Sequence, residues 1–377
     1  MKRVRLKEMR DAIVLSNWTW KENNVPERVA QALAKAGARV LYVESPITIL
    51  RKGQRNPSTE LKPGITRLQP LFAAHRIFQI QILSAVQTAF VKLQVIRFAR
   101  KLKLKNPICF FPHGEEPLLI ASALKKAGYP LVHLEMDYEL PASLPHVQIA
   151  ETTLVIPEAV YRALNPRYPG RIFRLPQLYT PTGLSIRTGA SEAVAARLAS
   201  IPRPYLVYLG AIQERIDRQL VATVLSAHPE WHLVSFGTGD LHLPNHHVFP
   251  WVKSEELGAF LGPDAAGFMP YRLDDMRDLH CVPLKLFDYF AAGMAVVGTP
   301  ITYLSAHRNM VYLGHTEQEL ESAIEAAFHE PADSIIKEER RAFANRHSIE
   351  NHAISIAPLL EETEGFPPPG WLALHGE

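Results

Sequence analysis

Short apolar runs alternate with longer stretches in which apolar residues recur at helical spacing, and this alternation spans most of the chain. Ala12–Leu15, Val40–Val43, Ile108–Phe111, Leu131–Glu135 and Thr153–Ile156 read as strands. Between them, Val25–Ala36, Pro117–Ala127 and Glu158–Leu164 read as helices, the first two stopped by Gly37 and Gly128. Prolines and glycines crowd the region from Leu175 to Pro204, which predicts a connection between domains with one short helix, Ser191–Leu198. A second series follows: strands at Tyr205–Leu209, His232–Phe236, His247–Pro250, Ala265–Met269, Ala295–Gly298 and Val311–Leu313. Its helices are predicted at Arg218–Ala227, Ser254–Leu261 and Glu317–His329. One long charged helix, Ser334–Glu362, closes the chain, with Ser348 and Pro358 as kink candidates. Strands alternating with helices imply parallel, doubly wound sheets.

At 377 residues the chain can hold two cores. The boundaries expected are 1–180, 181–345 and a C-terminal segment, 346–377. No apolar run is long enough to cross a membrane. The start, Met1–Asp11, lacks the apolar core of a signal peptide. Cys109 and Cys281 form neither a disulfide framework nor a metal-type spacing. These features predict a cytoplasmic protein. The net charge is only +3. However, Arg97, Arg100, Lys101, Lys103 and Lys105 follow the apolar stretches Ile77–Leu83 and Ala89–Val91. A basic amphipathic helix of this kind can lie on the inner face of an anionic membrane. Nothing resembles a nucleic-acid-binding signature.

The stretch from Pro283 to Pro300 carries the most chemistry. It reads as a helix opened by Pro283, stopped by Gly293, and followed by a buried strand. Lys285 falls in the first turn, where the helix dipole disfavours a cation. Free N–H groups and a lysine together make an anion site suited to a diphosphate. This segment resembles the donor-binding motif of GT-B-fold glycosyltransferases, whose pattern is roughly Pro-x-Lys-x-x-Glu-Tyr-x-Ala-x-Gly-x-Pro-Val-Val. Here Asp288 replaces Glu and Ala295 replaces Pro.

The resemblance implies an α/β protein with two Rossmann-like domains facing across a cleft and a C-terminal helix crossing back. Its nearest likeness is to bacterial polysaccharide-building transferases, including glucuronosyl-type members. The implied reaction moves a sugar from a nucleotide diphosphate sugar, a UDP-sugar being expected, to a glycan or lipid-linked hydroxyl. No metal or other cofactor is expected, since no Asp-x-Asp motif appears and cations can offset the leaving diphosphate.

The implied donor residues are Lys285, Arg215, Gly210, Gly237, Tyr271, Arg272 and Asp288, all just beyond predicted strands or on the motif helix. The family's basic residue directly after the first glycine is missing, because Ala211 stands there. The first acid of the family's Glu-x7-Glu pair is missing too, because that position is His280. In the first half, Asp137 and then His113 are candidates for the base that takes the acceptor proton. Asn17, Trp18 and Trp20 follow the first strand and are candidates for acceptor contacts, the indole rings offering apolar faces to sugar. An epimerase acting on sugar nucleotides and a non-catalytic glycan-binding protein are the two other readings compatible with this pattern.

Overall fold

The computed structural model describes residues 9–20, 24–48, 58–72, 81–180, 192–212, 214–251, 265–331, 333–362 and 366–368. The chain divides into two compact units, one of Met1–Leu178 with Ile349–Glu377 and the other of Tyr179–Ser348.

The first unit contains, in order, β1 (Ala12–Leu15), α1 (Val25–Lys35), β2 (Val40–Val43), β3 (Ile47–Thr48), β4 (Ser58–Lys62), β5 (Ile65–Leu68) and β6 (Leu71–Phe72). Then come α2 (Gln81–Lys101), β7 (Ile108–Pro112), α3 (Glu115–Lys125), β8 (Leu131–Glu135), α4 (Leu144–Ile149), β9 (Thr152–Val155), α5 (Glu158–Leu164) and β10 (Ile172–Arg174). Eight strands form one sheet in the order β10-β9-β8-β7-β1-β2-β5-β4, parallel except for β4 at the edge. Strands β1, β2, β7, β8 and β9 are buried along their whole length, which is why they read as apolar runs rather than alternating ones. Helix α1 is held at its start by a capping box. Asn24 Oδ1 accepts from the Glu27 N–H at 3.0 Å, and Glu27 Oε2 accepts from the Asn24 N–H at 3.4 Å.

The second unit contains α6 (Glu192–Ala199), β11 (Tyr205–Leu209), α7 (Arg218–Ala227), β12 (His232–Phe236), β13 (His246–Phe249), β14 (Ala265–Met269), α8 (Met276–Leu279) and α9 (Leu284–Ala291). It ends with β15 (Ala295–Gly298), α10 (Thr302–Ala306), β16 (Tyr312–Leu313), α11 (Glu317–Phe328) and α12 (Ile335–Arg346). Its six strands are all parallel, in the order β13-β12-β11-β14-β15-β16.

The chain then returns to the first unit as α13 (Ile349–Ile356) and a 3-10 turn, Ala357–Leu360. The expected single helix Ser334–Glu362 is therefore three pieces. The break has a cause: the His347 carbonyl accepts from the Tyr179 N–H at 2.8 Å, so it is withdrawn from helix propagation. Pro358 sits in the first turn of the 3-10 segment, where its missing N–H matters least. Helix α13 lies on α1, with Lys35 and Glu350 paired, and the Arg10 N–H donates to the Leu360 carbonyl at 2.7 Å.

The predicted helix Ser254–Leu261 lies outside the described residues, as does the apolar stretch up to Ile80. Pro283 is the N-cap of α9, not its first helical residue, with φ −77° and ψ 121°.

Candidate functional site

In the second unit, three loops leave the carboxyl ends of β11, β12 and β14 and lock to each other. The Gly210 N–H donates to the Phe236 carbonyl at 3.0 Å, and the Ile212 N–H to the Thr238 carbonyl at 2.7 Å. On the other side, the Asp217 N–H reaches the Pro270 carbonyl at 2.9 Å, and the Arg272 N–H reaches the Arg215 carbonyl at 3.0 Å. The approach of the first two loops requires glycine. A Cβ on Gly237 would stand 2.2 Å from the Gly210 carbonyl oxygen, and Gly237 has φ +152°.

Helix α9 delivers Lys285 to this place. Its anchor is Tyr289, four residues on and so on the same face. The β11–β14 ladder ends at the Val207–Gly267 pair. Beyond it the Tyr289 hydroxyl takes over, donating to the Val207 carbonyl at 2.9 Å and accepting from the Leu209 N–H at 3.0 Å. The ring of Tyr289 occupies the space above Gly267, where a Cβ would come within 2.4 Å of it.

The Lys285 Nζ rests 3.8 Å from the centre of the Tyr208 ring and 5.2 Å from that of Tyr271. It is close enough to Gly210 that a Cβ there would stand 3.4 Å away. Among the described residues it has no hydrogen bond and no ion pair. Burial pulls its ammonium from an ordinary 10.5 down to about 7; Cys281 opposes this and the Arg215 guanidinium adds to it. Two aromatic faces partly compensate the charge, but no carboxylate neutralises it. The group is poised to gain from an anion at the start of α9.

The other expected donor residues are placed differently. Arg215 is already engaged: its Nε pairs with the buried carboxylate of Asp278. Its terminal fork is left over, and the side chain is about half exposed. Burial drives the hydroxyls of Tyr208 and Tyr271 upward, so both stay neutral. Arg272 is exposed and forked onto Asp274, with Nε to Oδ1 at 2.9 Å. It lines a pocket of about 570 Å³ together with Asp217, Arg218, Thr299 and His315; Lys285 does not line that pocket. Asp288 is half-buried on α9, three residues beyond Lys285.

In the first unit, the loops after β1 and β7 meet. Asn17 Nδ2 donates to the His113 carbonyl at 2.6 Å. The His113 ring stacks on His146 at 4.5 Å. His146 is itself held at the Gly114 backbone, with Nε2 3.0 Å from the N–H and 2.9 Å from the carbonyl. Asp137 is exposed beyond the end of β8. Burial perturbs its neighbour Glu135, fully buried and pushed up to about 8, and also Glu116 on α3, pushed up to about 7. The nearby Ser143 hydroxyl opposes the shift of Glu135, and Glu139 and Asp137 add to it. His133, two residues earlier and therefore on the same strand face, is also fully buried, with Nε2 3.9 Å from Glu135 Oε2. Burial holds His133 far below its usual range, and His146 and His113 lower it further.

Sequence reasoning passed over Glu135, His133 and His146. The signal was present as two polar residues, two apart, inside an otherwise apolar strand. Trp20 turns its ring edge-on to Tyr42 at 4.8 Å, and its backbone N–H donates to Glu44 Oε1 at 2.8 Å. Trp18 stays half exposed.

No protein-family model matches the chain, and a search of curated proteins finds no match either. Solved structures do match. An Escherichia coli trehalose-6-phosphate protein bound with UDP-2-fluoro glucose is similar over 94% of this chain and 99% of that one, at 12% identity and TM-score 0.68. Sucrose-phosphate synthase from Thermosynechococcus elongatus is similar over 93% and 98%, at 13% identity and TM-score 0.66. A UDP-forming trehalose-phosphate synthase from Burkholderia xenovorans, in complex with glucose-6-phosphate, is similar over 90% and 97%, at 11% identity and TM-score 0.64. Likeness at this identity shows the fold, and the fold of this chain is GT-B.

Proposed function

We propose that the protein is a glycosyltransferase that takes a sugar from a nucleotide diphosphate sugar and passes it to a hydroxyl acceptor. The observation that carries this reading is the unneutralised ammonium of Lys285 at the first turn of α9. A diphosphate there would meet the ammonium, the free N–H groups of the helix start and the remaining fork of Arg215. Those groups offset the charge of the leaving diphosphate, so the reaction is proposed to run without a metal. Uracil is the proposed base. It is supported by the UDP named for two structural neighbours.

The acceptor proton is proposed to go to Asp137 or to His113. The exposed position of Asp137 and the fixed backbone of His113 suit both to meet an acceptor. A glycan or lipid-linked hydroxyl is the proposed acceptor. A sugar phosphate is the second reading, supported by the glucose-6-phosphate bound to one neighbour.

Calorimetric titration of UDP into the wild type and Lys285→Ala tests the donor site; equal affinities would end this reading. Incubation with UDP-sugars, with and without added acceptors, then separates transfer from epimerisation. A new isomer formed from donor alone would indicate an epimerase.

A further inference from the structure

We propose that the outward face of α2 is a docking surface for an anionic lipid bilayer. The apolar side of a helix normally lies against the core. Here the inner residues Val91, Val95 and Ala99 are buried, yet Val86, Phe90 and Leu93 on the opposite side are 63%, 46% and 62% exposed. Their spacing, i, i+4 and i+7, makes one stripe. The same stripe continues into Arg97 and Lys101, both exposed. The apolar end and the cationic end thus share one face, the arrangement that inserts rings and aliphatic chains between lipids while cations meet headgroup phosphates.

The surrounding chain is charge-segregated. From Leu61 to Gly114 there are nine Lys and Arg and no Asp or Glu, although the whole chain carries only +3. A second copy of the chain is a poor occupant, because a two-fold contact would set like charges against each other. Nucleic acid would leave the Val86–Phe90–Leu93 stripe unmatched. No described helix is long and apolar enough to cross a membrane, so the contact is with a surface. The proposal extends the acceptor reading above but stands on α2 alone.

The experiment is co-sedimentation of the full-length protein with phosphatidylcholine vesicles, with and without phosphatidylglycerol. The wild type is expected to bind only the anionic vesicles and to dissociate in high salt. Arg97→Glu with Lys101→Glu, and separately Phe90→Ser with Leu93→Ser, should each weaken binding by about 100-fold. Both should melt as the wild type does and keep the wild-type affinity for UDP. Absence of wild-type binding, binding undiminished in folded variants, heparin binding without vesicle binding, or loss of a wild-type dimer in the variants would each overturn the proposal. UDP affinity in the same samples reports on the donor site separately.

Discussion

Lys285 and Tyr289 stand one turn apart on the same face of α9, and the second fixes the first. Tyr289 completes the hydrogen bonding of β11 where its ladder with β14 stops, and this sets the helix so that Lys285 meets Tyr208 at 3.8 Å. The placement of Lys285 therefore depends on a tyrosine that need not touch any substrate.

Replacing Tyr289 by Phe strands the Val207 carbonyl and the Leu209 N–H. The expected loss is about 1–3 kcal/mol of stability, read as a lower midpoint in urea, together with weaker UDP binding. A full UDP affinity in a protein so destabilised would separate the anchor from the site.

Lys285→Ala is expected to reduce UDP affinity about tenfold to a hundredfold while leaving the thermal midpoint unchanged or raised. The side chain is a half-buried cation without a partner, so its removal costs the fold little.

The same ammonium gives a pH dependence. Free Lys285 titrates at about 7, and a bound diphosphate would raise that value. Binding then takes up a proton above pH 7. Affinity should fall as pH rises beyond 7, and below about pH 6 it should fall again as the terminal phosphate of UDP takes up its own proton. Titration in buffers of different ionisation enthalpy would reveal the proton; equal heats at pH 8 would refute the uptake.

Gly237→Ala should be severe. The new Cβ would press on the Gly210 carbonyl at a backbone angle that side chains rarely adopt. We expect a loss of about 2–4 kcal/mol and no measurable UDP binding, checked by chemical denaturation and calorimetry.

In the first unit, Glu135 holds its proton up to about pH 8 in the folded state, against about 4.3 when unfolded. The folded form binds more protons between those values, so stability drains away as pH rises through them. Glu135→Gln does not titrate. Its thermal midpoint relative to wild type should therefore climb from pH 5 to a plateau above pH 8. A constant difference would show that Glu135 is not held protonated.

Buried parallel strands were legible because both faces are covered. Tyr205–Leu209, His232–Phe236 and Ala265–Met269 needed only apolarity and flanking glycine. The edge hairpin of β4 and β5 was missed because Ser58–Lys62 is polar except for Leu61, although Pro63-Gly64 is a turn signal. The Lys285 motif was readable as local sequence. The role of Tyr289 was not, since its partners are backbone atoms some 80 positions away. Likewise, Asp137 drew attention as a strand-end acid, while the perturbed carboxyl of that strand is Glu135, whose burial is a property of neighbouring strands.

The hydrogen bond from Tyr179 to His347 has an engineering consequence. It ties the first residue of the second unit to the last but one, and Tyr179 also bridges Ser348, so residues 179–348 form a cassette whose two ends already meet. Segments built this way tolerate excision and circular permutation. A gene for that cassette alone is expected to yield a folded domain, with new termini free to open at an exposed loop.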